Sequence, residues 1–410
     1  MKYLLVLLVL CIGLFANARI IVVGPNQNIT TVADAVNRAV DGDTILIERA
    51  SYVLNNVEIR KRLTLIGDHY PTLDGSGKYQ ILTIRGTGIT VKGIHFKNSG
   101  YSSVIDISAV EIVNSSNVRI LDNYFTHTYF GIHVSNSTRF EIRNNTIKGV
   151  KESEQTSGNG IHLWKCSYAS IQGNHLSENR DGIYFEFVTN SQIVGNFSER
   201  NIRYGLHFMF SNDDVYSNNT FKENGAGVAV MFSKNVKMNN NYFGNNWGPS
   251  AYGILLKEIN DAKIVNNTFY RNTVAIYIEG SNRIEVAYNT FNNNGWASKV
   301  QASCSDNYYH HNNFMSNTFD IATNGSLVLN TFSENYWDKY EGYDLNKDGI
   351  GDVPYHPVSM YSMLVEQNPN NLFLLRSFIV SLLDKIEKAI PTLTPEELKD
   401  NKPLMRRVKL

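Results

Sequence analysis

The feature that most constrains the fold is an internal repeat of about 22 residues in the middle of the chain. Each copy begins with an apolar patch after a small residue, as in GLHFMF at positions 205–210, and holds three such patches separated by polar turns. The copies start at Gly131, Gly160, Gly182, Gly205, Gly227, Gly253 and Ala275. The patches are too short for the 3.6-residue pattern of a helical solenoid. They predict three strands per turn, which is typical of a parallel β-helix.

The predicted fold class is therefore all-β: a right-handed parallel β-helix with an N-terminal cap and a C-terminal helical tail. The second patch of each copy contributes one predicted core column, made of Ile142, Ile171, Ile193, Val215, Met238, Ile264 and Val286. An asparagine recurs before each third patch, at positions 123, 145, 174, 196, 219, 241, 267 and 289. Stacked at one corner, these amides are expected to hydrogen-bond along the axis and to have a purely structural role.

The chain divides into five predicted segments. Residues 1–18 form a signal peptide, 19–60 the N-terminal cap and first turns, and 61–340 the β-helix. Residues 341–370 form an Asp/Gly-rich connection, and 371–410 a helix and tail. In the cap, Thr31 is expected to begin a short helix that carries Val32, Ala35, Val36 and Ala39.

The N-terminus and the charge balance indicate where the protein works. Lys2, an apolar run and the sequence Ala16-Asn17-Ala18 have the pattern of a cleavable secretory signal, and the apolar run is too short to span a membrane. The mature protein is expected to be periplasmic. The formal net charge is +0, so no excess of basic residues favours a nucleic-acid partner.

Two cysteines, Cys166 and Cys304, remain after the signal peptide. A secreted chain with two cysteines suggests a disulfide. The repeat places them about six turns apart, on the order of 29 Å at about 4.8 Å per turn, which is too far for a disulfide. Both are therefore predicted to be free thiols.

The stretch GLHFMF at positions 205–210 suggests a metal site. Alternation places Leu206, Phe208 and Phe210 on one face of a strand, with the first two in the apolar column, and places His207 and Met209 on the other, outward face. Met231 is predicted to stack on Met209 in the next turn. One imidazole and two thioethers favour a soft ion such as Cu(I), held reversibly because no thiolate is present. The candidate copper ligands are His207, Met209, Met231, His162 and Glu186. The alternative is that these outward residues decorate the surface or form a docking surface.

A second candidate site lies in the stretch GYDLNKDGIGDVPY. Asp344, Asn346, Asp348, Ile350 and Asp352 have the spacing of the first half of an EF-hand-type loop. The twelfth position is Tyr355 instead of the bidentate glutamate. The sequence therefore predicts a structural Ca²⁺ site, with a plain Asx/Gly turn as the alternative.

The C-terminal segment is apolar with helical spacing from Leu372 to Ile390 and ends at Pro391. One interpretation is that it caps the β-helix. The other is that this helix and the PLMRRV tail dock on a membrane-embedded partner.

Several stretches together resemble one family. RDGIYFEF, YGLHFMFS, GVAVMFS, YGILLKE, AIYIEGS, ASCSDN and NYWDKYEGYDLNKDGIGDVPYHPVS are similar to the NosD family, the periplasmic maturation proteins of nitrous oxide reductase. The resemblance covers nearly all of the mature chain. It implies a non-enzymatic accessory protein that takes part in assembling the copper sites of the reductase. The implied partners are a membrane ABC transporter with ATPase and permease subunits, reached through the C-terminal segment, a copper chaperone lipoprotein, and the reductase.

Two other functions remain open from the residues. The first is a carbohydrate-binding or carbohydrate-active β-helix, in which Trp164, Tyr184 and Tyr277 stack on sugar rings. Against catalysis, the outward column offers Glu186, Lys257 and Glu279 but no clustered base and carboxylate-stabilising set. The second is a passive scaffold for maturation of the reductase.

Overall fold

The structure, a computed structural model, describes residues 18–102, 104–325, 329–389 and 398–410. The predicted signal peptide therefore lies almost entirely outside the described residues. Within these ranges the chain is a parallel β-helix with three short helices and one 3₁₀ segment, as the repeat predicts.

Thirty-nine strands occur in the described residues, named here in chain order. The first thirteen are β1 (Ile20–Val23), β2 (Thr44–Ile47), β3 (Ser51–Val53), β4 (Val57–Ile59), β5 (Thr64–Gly67), β6 (Thr72–Asp74), β7 (Leu82–Ile84), β8 (Thr90–Lys92), β9 (His95–Lys97), β10 (Ser108–Val113), β11 (Arg119–Leu121), β12 (Tyr124–Thr126) and β13 (Phe130–Ser135). The next thirteen are β14 (Thr138–Arg143), β15 (Thr146–Lys148), β16 (Ile161–Trp164), β17 (Ser167–Gln172), β18 (His175–Ser177), β19 (Ile183–Glu186), β20 (Gln192–Val194), β21 (Phe197–Glu199), β22 (Tyr204–Met209), β23 (Val215–Ser217), β24 (Thr220–Lys222), β25 (Ala226–Met231) and β26 (Lys237–Asn239). The last are β27 (Tyr242–Gly244), β28 (Tyr252–Lys257), β29 (Lys263–Val265), β30 (Thr268–Tyr270), β31 (Val274–Glu279), β32 (Glu285–Ala287), β33 (Thr290–Asn292), β34 (Trp296–Val300), β35 (Ser305–His310), β36 (Asn313–Met315), β37 (Phe319–Ala322), β38 (Leu329–Ser333) and β39 (Tyr336–Trp337).

The strands form three long sheets. Sheet I runs from β1 and β2 to β38, sheet II from β3 to β39, and sheet III from β4 to β37, with 14, 13 and 12 described strands. From β2 onward the chain visits sheets I, II and III in turn, so every strand pairs in parallel with the strand one turn before and one turn after it. The stretch GLHFMF lies in β22, near the middle of sheet III.

The interior columns follow the sequence with one correction. Leu206 and Phe208 of β22 are fully buried, as predicted. In the second column, Tyr216 and not Val215 points into the core, because Tyr216 is the register partner of Ile193 and Met238. Asn219 could have indicated this, since the buried residue lies three positions before the ladder asparagine in every other repeat named for this column.

Two buried asparagine ladders hold consecutive turns together. The predicted ladder is confirmed: in each step the amide of one asparagine donates to the side-chain oxygen of the next, at 3.0 Å between Asn219 and Asn241. A second ladder, absent from the sequence prediction, lies at the next corner and contains Asn179, Asn201, Asn224, Asn246, Asn272, Asn294 and Asn317. These amides satisfy turn backbone that would otherwise be buried without partners.

Both cysteines are buried and free, as predicted. At the third corner the hydroxyls of Ser115 and Ser137 donate to nearby backbone carbonyl oxygens. Cys166 takes the same position one turn later, with its sulfur 3.4 Å from the carbonyl oxygen of Trp164. Burial raises the pKa of the Cys166 thiol to about 11, so it is an unreactive structural thiol.

Both ends of the β-helix are covered. Helix α1 (Val32–Arg38) begins at Thr31, whose hydroxyl oxygen accepts the backbone N–H of Asp34, and buries Val32, Ala35 and Val36. At the other end Asp400 is fully buried and accepts hydrogen bonds from the amide of Asn335 and the indole of Trp337. A carboxylate therefore terminates the first asparagine ladder.

The C-terminal segment has two parts. Helices α2 (Met360–Gln367) and α3 (Phe378–Ala389), joined through a 3₁₀ segment at Pro369–Leu374, pack on the sheet III end through Tyr361 and Val380. Residues 398–410 return to the last turn, where the backbone N–H of Leu404 donates to the carbonyl oxygen of Asn335. The PLMRRV tail thus contributes to the cap that the sequence predicts, and its docking on a partner, which capping does not exclude, stays a prediction. Among the described residues no helix is long and apolar enough to cross a membrane.

Candidate functional site

Two lines of outward residues follow the outer face of sheet III. The register of the strands aligns Trp164, Glu186, Met209, Met231, Lys257 and Glu279 in one line. The parallel line, two positions earlier in each strand, contains Glu111, His133, His162, Tyr184, His207, Ala229, Leu255 and Tyr277. We call the first the methionine line and the second the histidine line. Their existence and register follow the sequence prediction.

His207 departs from the prediction in its exposure. It points away from the interior, but only 5% of it is exposed. Its ring lies between Tyr184 and Tyr204, with centroid distances of 4.8 and 4.7 Å. Sequence alternation identifies the face of a strand but cannot show that aromatic neighbours from adjacent positions will cover it.

A buried carboxylate lies beside His207. The Oδ2 atom of Asp181 is 3.6 Å from Nδ1 of His207 and 2.6 Å from the guanidinium of Arg203. Burial alone would raise the pKa of Asp181, but the interactions with His207 and Arg203 outweigh it and lower that pKa. Asp181 therefore remains ionised and holds His207 and Arg203 against the outer face.

The two methionines are adjacent, as predicted. Met209 and Met231 are register partners on β22 and β25, and both are partly exposed. Glu186 is the partner of Met209 on the other side, in β19. The hydroxyl of Tyr184 lies 3.5 Å from the sulfur of Met209. Two thioethers, a carboxylate and a phenol thus lie on three consecutive turns at the surface.

The five predicted copper ligands do not all meet at one point. Met209, Met231 and Glu186 are contiguous, and His207 is two residues from Met209 but is held between tyrosine rings. His162 is two turns from His207, because Tyr184 occupies the position between them. The structure groups His162 instead with His133, whose ring centroid is 5.0 Å away.

An exposed aromatic stack adjoins the methionine line. Phe187, Phe210 and Phe232 stack with centroids 5.1 Å apart and are 44%, 39% and 37% exposed. All three adopt positive φ angles of 50–55°, which bulky side chains rarely adopt and which cost on the order of 1–3 kcal/mol each. Glycine takes this corner position at Gly280, so phenylalanine is not required by the fold. Lys165 and Glu258 have positive φ at the same corner, so this backbone conformation belongs to the turn, and it is the exposed aromatic stack that is typical of a binding surface.

Sequence reasoning missed one further group. Asp106, His133 and His162 are the one set of three or more His, Cys, Asp or Glu residues in the described ranges whose ligand atoms could hold a metal ion. The signal was available, since GIHV at 131–134 and GIHL at 160–163 place histidines at equivalent repeat positions.

In the acidic loop from Asp344 to Asp352, the carboxylates accept hydrogen bonds from the backbone N–H groups of the loop itself. The carboxylate of Asp344 accepts the N–H groups of Asp348 and Gly349, and Asp352 accepts that of Leu345. Gly349 has φ 89°, the left-handed conformation expected for the sharp turn. The Tyr355 hydroxyl at the twelfth position bonds to the carboxylate of Asp320, on β37. The loop geometry therefore matches the Asx/Gly alternative, and the calcium site stays a prediction.

The adjacent histidines His310 and His311 lie at the end of a strand, because β35 ends at His310 and His311 has φ 53°. Their Nδ1 atoms are 3.0 Å apart, and each ring also contacts an acid, Glu285 or Glu334. These contacts provide polar partners for both rings.

The fold places the chain in the class of single-chain parallel β-helix proteins. Within that class, residues 147–342 match the profile of the family described as periplasmic copper-binding protein (NosD), which is the similarity that the motifs indicate. Residues 59–208 also match a family of unknown function, DUF1565.

Curated relatives agree with that assignment. The chain is 28% identical to a probable ABC transporter binding protein NosD of Pseudomonas aeruginosa, over 91% of each chain. It is 33% identical to the protein of the same name from Stutzerimonas stutzeri, over 18% of this chain and 16% of that one.

Solved structures confirm the architecture. The catalytic domain of a GH87 α-1,3-glucanase in complex with nigerose aligns with a TM-score of 0.62 at 12% identity, over 78% of this chain and 69% of the other. At that identity the likeness concerns the fold alone. The matching family is described as a periplasmic copper-binding protein and not as an enzyme.

Proposed function

We propose that this protein is a periplasmic accessory protein that relays Cu(I), together with an ABC transporter, to the copper sites of nitrous oxide reductase. The protein itself catalyses no reaction in this proposal. The observation that carries it is the pairing of Met209 with Met231 at the surface of a NosD-like β-helix.

The chemistry of the Met209–Met231 pair suits the transfer of Cu(I) between proteins. Thioether sulfur favours soft monovalent copper over hard cations. Neither methionine is fully buried, so an ion bound there is reachable from outside. Both free thiols are buried and absent from this surface, and thioether binding without thiolate is weak enough to be reversible. Glu186 is adjacent and supplies an anionic ligand or an electrostatic attraction for the cation.

The aromatic stack provides a surface for a copper-donating or copper-accepting protein. Phe210 and Phe232 directly follow the two methionines in sequence, so a partner bound to the stack would have its own metal ligands next to the thioether pair. Exposed aromatic side chains supply much of the binding energy in protein interfaces. We assign this surface to the copper chaperone lipoprotein and, in turn, to the reductase.

The transporter is assigned to the C-terminal helices. One side of α3 packs through Val380 and Leu383 on the apolar cluster that α2 forms with the end of sheet III, while Phe378, Ile379 and Leu382 are 81%, 51% and 45% exposed. The preceding 3₁₀ segment adds Phe373, which is 79% exposed. An apolar surface of this kind on an exported protein fits a hydrophobic partner surface at the membrane.

The copper proposal is tested by anaerobic competition titration of the mature protein with a chromogenic Cu(I) chelator. Wild type is expected to bind about one Cu(I), and Met209→Leu/Met231→Leu to lose that binding, because leucine keeps the volume and removes the sulfur. Met315→Leu is the matched control, since Met315 is a partly exposed methionine in sheet II. Unchanged binding in the double variant would disprove the thioether site. Absence of binding in wild type would favour the passive scaffold.

The transporter proposal is tested by co-purification with the membrane complex. Phe378→Ser/Ile379→Ser should abolish co-purification while leaving the melting temperature unchanged, because both side chains are exposed. The matched control is Val53→Ser, which alters an exposed apolar residue (71% exposed) at the opposite end of the β-helix. Loss of co-purification in the control, or full retention in the double variant, would contradict the assignment.

The acidic loop remains proposed as a structural Ca²⁺ site. If Ca²⁺ binds only the folded protein, a concentration about 100 times the dissociation constant adds about 2.7 kcal/mol to the free energy of unfolding. A melting temperature that rises with calcium in wild type but not in Asp344→Asn supports the site. An equal response of both proteins, or none, leaves the loop as a turn held by its own hydrogen bonds.

A further inference from the structure

Three potential metal ligands converge on the outer face of sheet III, at the start of the histidine line. His133 on β13 and His162 on β16 are register partners, so their imidazoles stand side by side. Asp106 reaches them from the segment between β9 and β10. One oxygen of Asp106 and one nitrogen of each imidazole all lie within 4.8 Å of one another.

The imidazoles are buried without hydrogen-bond partners in the described residues. Both ring nitrogens of His162 and the Nδ1 of His133 are in this state, and only 8% of His162 is exposed. Leaving a buried polar group unpaired costs about 1–3 kcal/mol. His175 avoids this cost through Glu199, and His207, whose two ring nitrogens also lack hydrogen bonds, lies 3.6 Å from the carboxylate of Asp181. The ring nitrogens of His133 and His162 that have no hydrogen-bond partner lie close to the carboxylate of Asp106. This arrangement indicates that a cation binds between the three side chains.

Both rings can offer a nitrogen to a metal ion. A metal ion binds the free lone pair of an imidazole nitrogen, and the ring nitrogens of His162 and the Nδ1 of His133 are not engaged by hydrogen bonds in the described residues. Asp106, by contrast, is exposed and supplies the negative charge from the solvent side.

We propose that Asp106, His133 and His162 bind a divalent transition-metal ion at a site separate from the methionine pair. Two imidazoles and one carboxylate suit ions of borderline softness, with Cu(II) bound more tightly than Zn(II). The ligand atoms of a tetrahedral site with bonds of about 2.0–2.2 Å are about 3.4 Å apart, so the group must contract slightly. The exposed Asp106 side chain is the ligand with the most freedom to move.

The two sites differ in donor set and in place. Tyr184 lies between His162 and His207 on the histidine line, and Met209 is two turns away from His162. A divalent ion bound by nitrogen and oxygen therefore does not share ligands with a Cu(I) ion bound by sulfur. The divalent site does not depend on the relay proposal, and either can fail alone.

The test is competition titration of chelator-stripped mature protein with Zn(II) and with Cu(II). Wild type is expected to bind one ion per chain, and Asp106→Asn and His133→Ala to weaken binding by at least about 10–100-fold, the range seen when only outer-shell partners are removed. His69→Ala is the matched control, because His69 contacts Asp68 on the exposed surface. Electron paramagnetic resonance of the Cu(II) form should show coupling to two imidazole nitrogens.

Two results would overturn the proposal. One is wild-type affinity no greater than that of Asp106→Asn. The other is loss of the divalent ion in Met209→Leu/Met231→Leu, which would place it at the thioethers. Far-UV circular dichroism checks that each variant folds. If His133→Ala does not fold, Asp106→Asn still decides, since it alters an exposed side chain.

Discussion

The outer face of sheet III has two ends with different chemistry. At the turns of His133 and His162, imidazoles lie buried or half-buried beside a carboxylate. At the turns of Met209 and Met231, thioethers remain partly exposed next to an open aromatic stack. The first end suits a held divalent ion, and the second suits a soft ion that is exchanged with a partner.

The difference shows that an outward position on a β-helix does not determine exposure. His207 and Met209 point outward from the same strand, two residues apart, yet only Met209 reaches solvent. Tyr204 and Tyr184 cover His207, and the buried carboxylate of Asp181 lies next to its ring. Exposure is therefore set by the neighbours of each outward residue, which differ between turns of nearly identical backbone.

The largest expected effect comes from removing the buried carboxylate at the boundary between the two ends. Asp181→Ala leaves Arg203 and His207 without their anionic partner and should lower the free energy of unfolding by about 3 kcal/mol. Glu186→Ala, at the methionine end, should change it by less than about 1 kcal/mol because Glu186 is partly exposed. Urea unfolding monitored by circular dichroism compares them. Equal losses in the free energy of unfolding of the two variants would mean that Asp181 stabilises the fold no more than Glu186 does.

A second buried carboxylate, Asp214, provides a comparison with Asp181. It tests whether the stabilising effect of Asp181 comes from its partners Arg203 and His207 and not from burial itself. Burial raises the pKa of Asp214 to about 8, and its Oδ2 has no hydrogen-bond partner among the described residues. Because the folded-state pKa exceeds the unfolded value, wild-type stability should fall as pH rises from about 4 to about 8.

Asp214→Asn removes this titration while keeping an oxygen that accepts the backbone N–H of Ser191. We expect the variant to be more stable than wild type by about 1–2 kcal/mol at pH 7, with a flatter dependence on pH. Asp213→Asn, its exposed neighbour, serves as the comparison: it removes a charge that adds to the raised pKa of Asp214, and it should flatten the pH dependence less than Asp214→Asn does. A less stable Asp214→Asn variant at pH 7 would show that the carboxylate has a partner in solution.

Much of the fold could be predicted because it repeats. The spacing of the apolar patches, the first asparagine ladder and the distance between Cys166 and Cys304 all follow from the period of about 22 residues. The exceptions are local. Tyr216, and not Val215, lies in the core because it is in register with Ile193 and Met238, and its ring packs next to Phe208 with ring centroids 5.6 Å apart. The cap formed by residues 398–410 joins segments far apart in sequence, and no periodicity reports such contacts.

The site was less predictable than the fold. The pairing of Met209 with Met231 follows from register, so sequence could supply it. The grouping of His162 with His133 and Asp106 could not be obtained in full, because Asp106 lies in an irregular segment outside the repeat. A repeat predicts which strand positions are neighbours, but it does not predict which loop side chain will reach them.

The smallest expected effect concerns Tyr184, the residue that joins the two ends. Its ring stacks between His162 and His207, at 4.7 and 4.8 Å, while its hydroxyl donates to the sulfur of Met209. Tyr184→Phe keeps the stacking and removes only this weak hydrogen bond, so the free energy of unfolding should change by less than about 1 kcal/mol.

The same change frees a sulfur lone pair of Met209 for a metal ion. We therefore expect Tyr184→Phe to strengthen Cu(I) binding a few-fold and to leave the affinity of the divalent site unchanged, since the ring beside His162 is retained. Tyr277→Phe is the matched control, as Tyr277 lies on the same line beyond the methionines. Weaker Cu(I) binding in Tyr184→Phe would instead make the phenol a ligand, and the copper site would then extend from the methionine line into the histidine line.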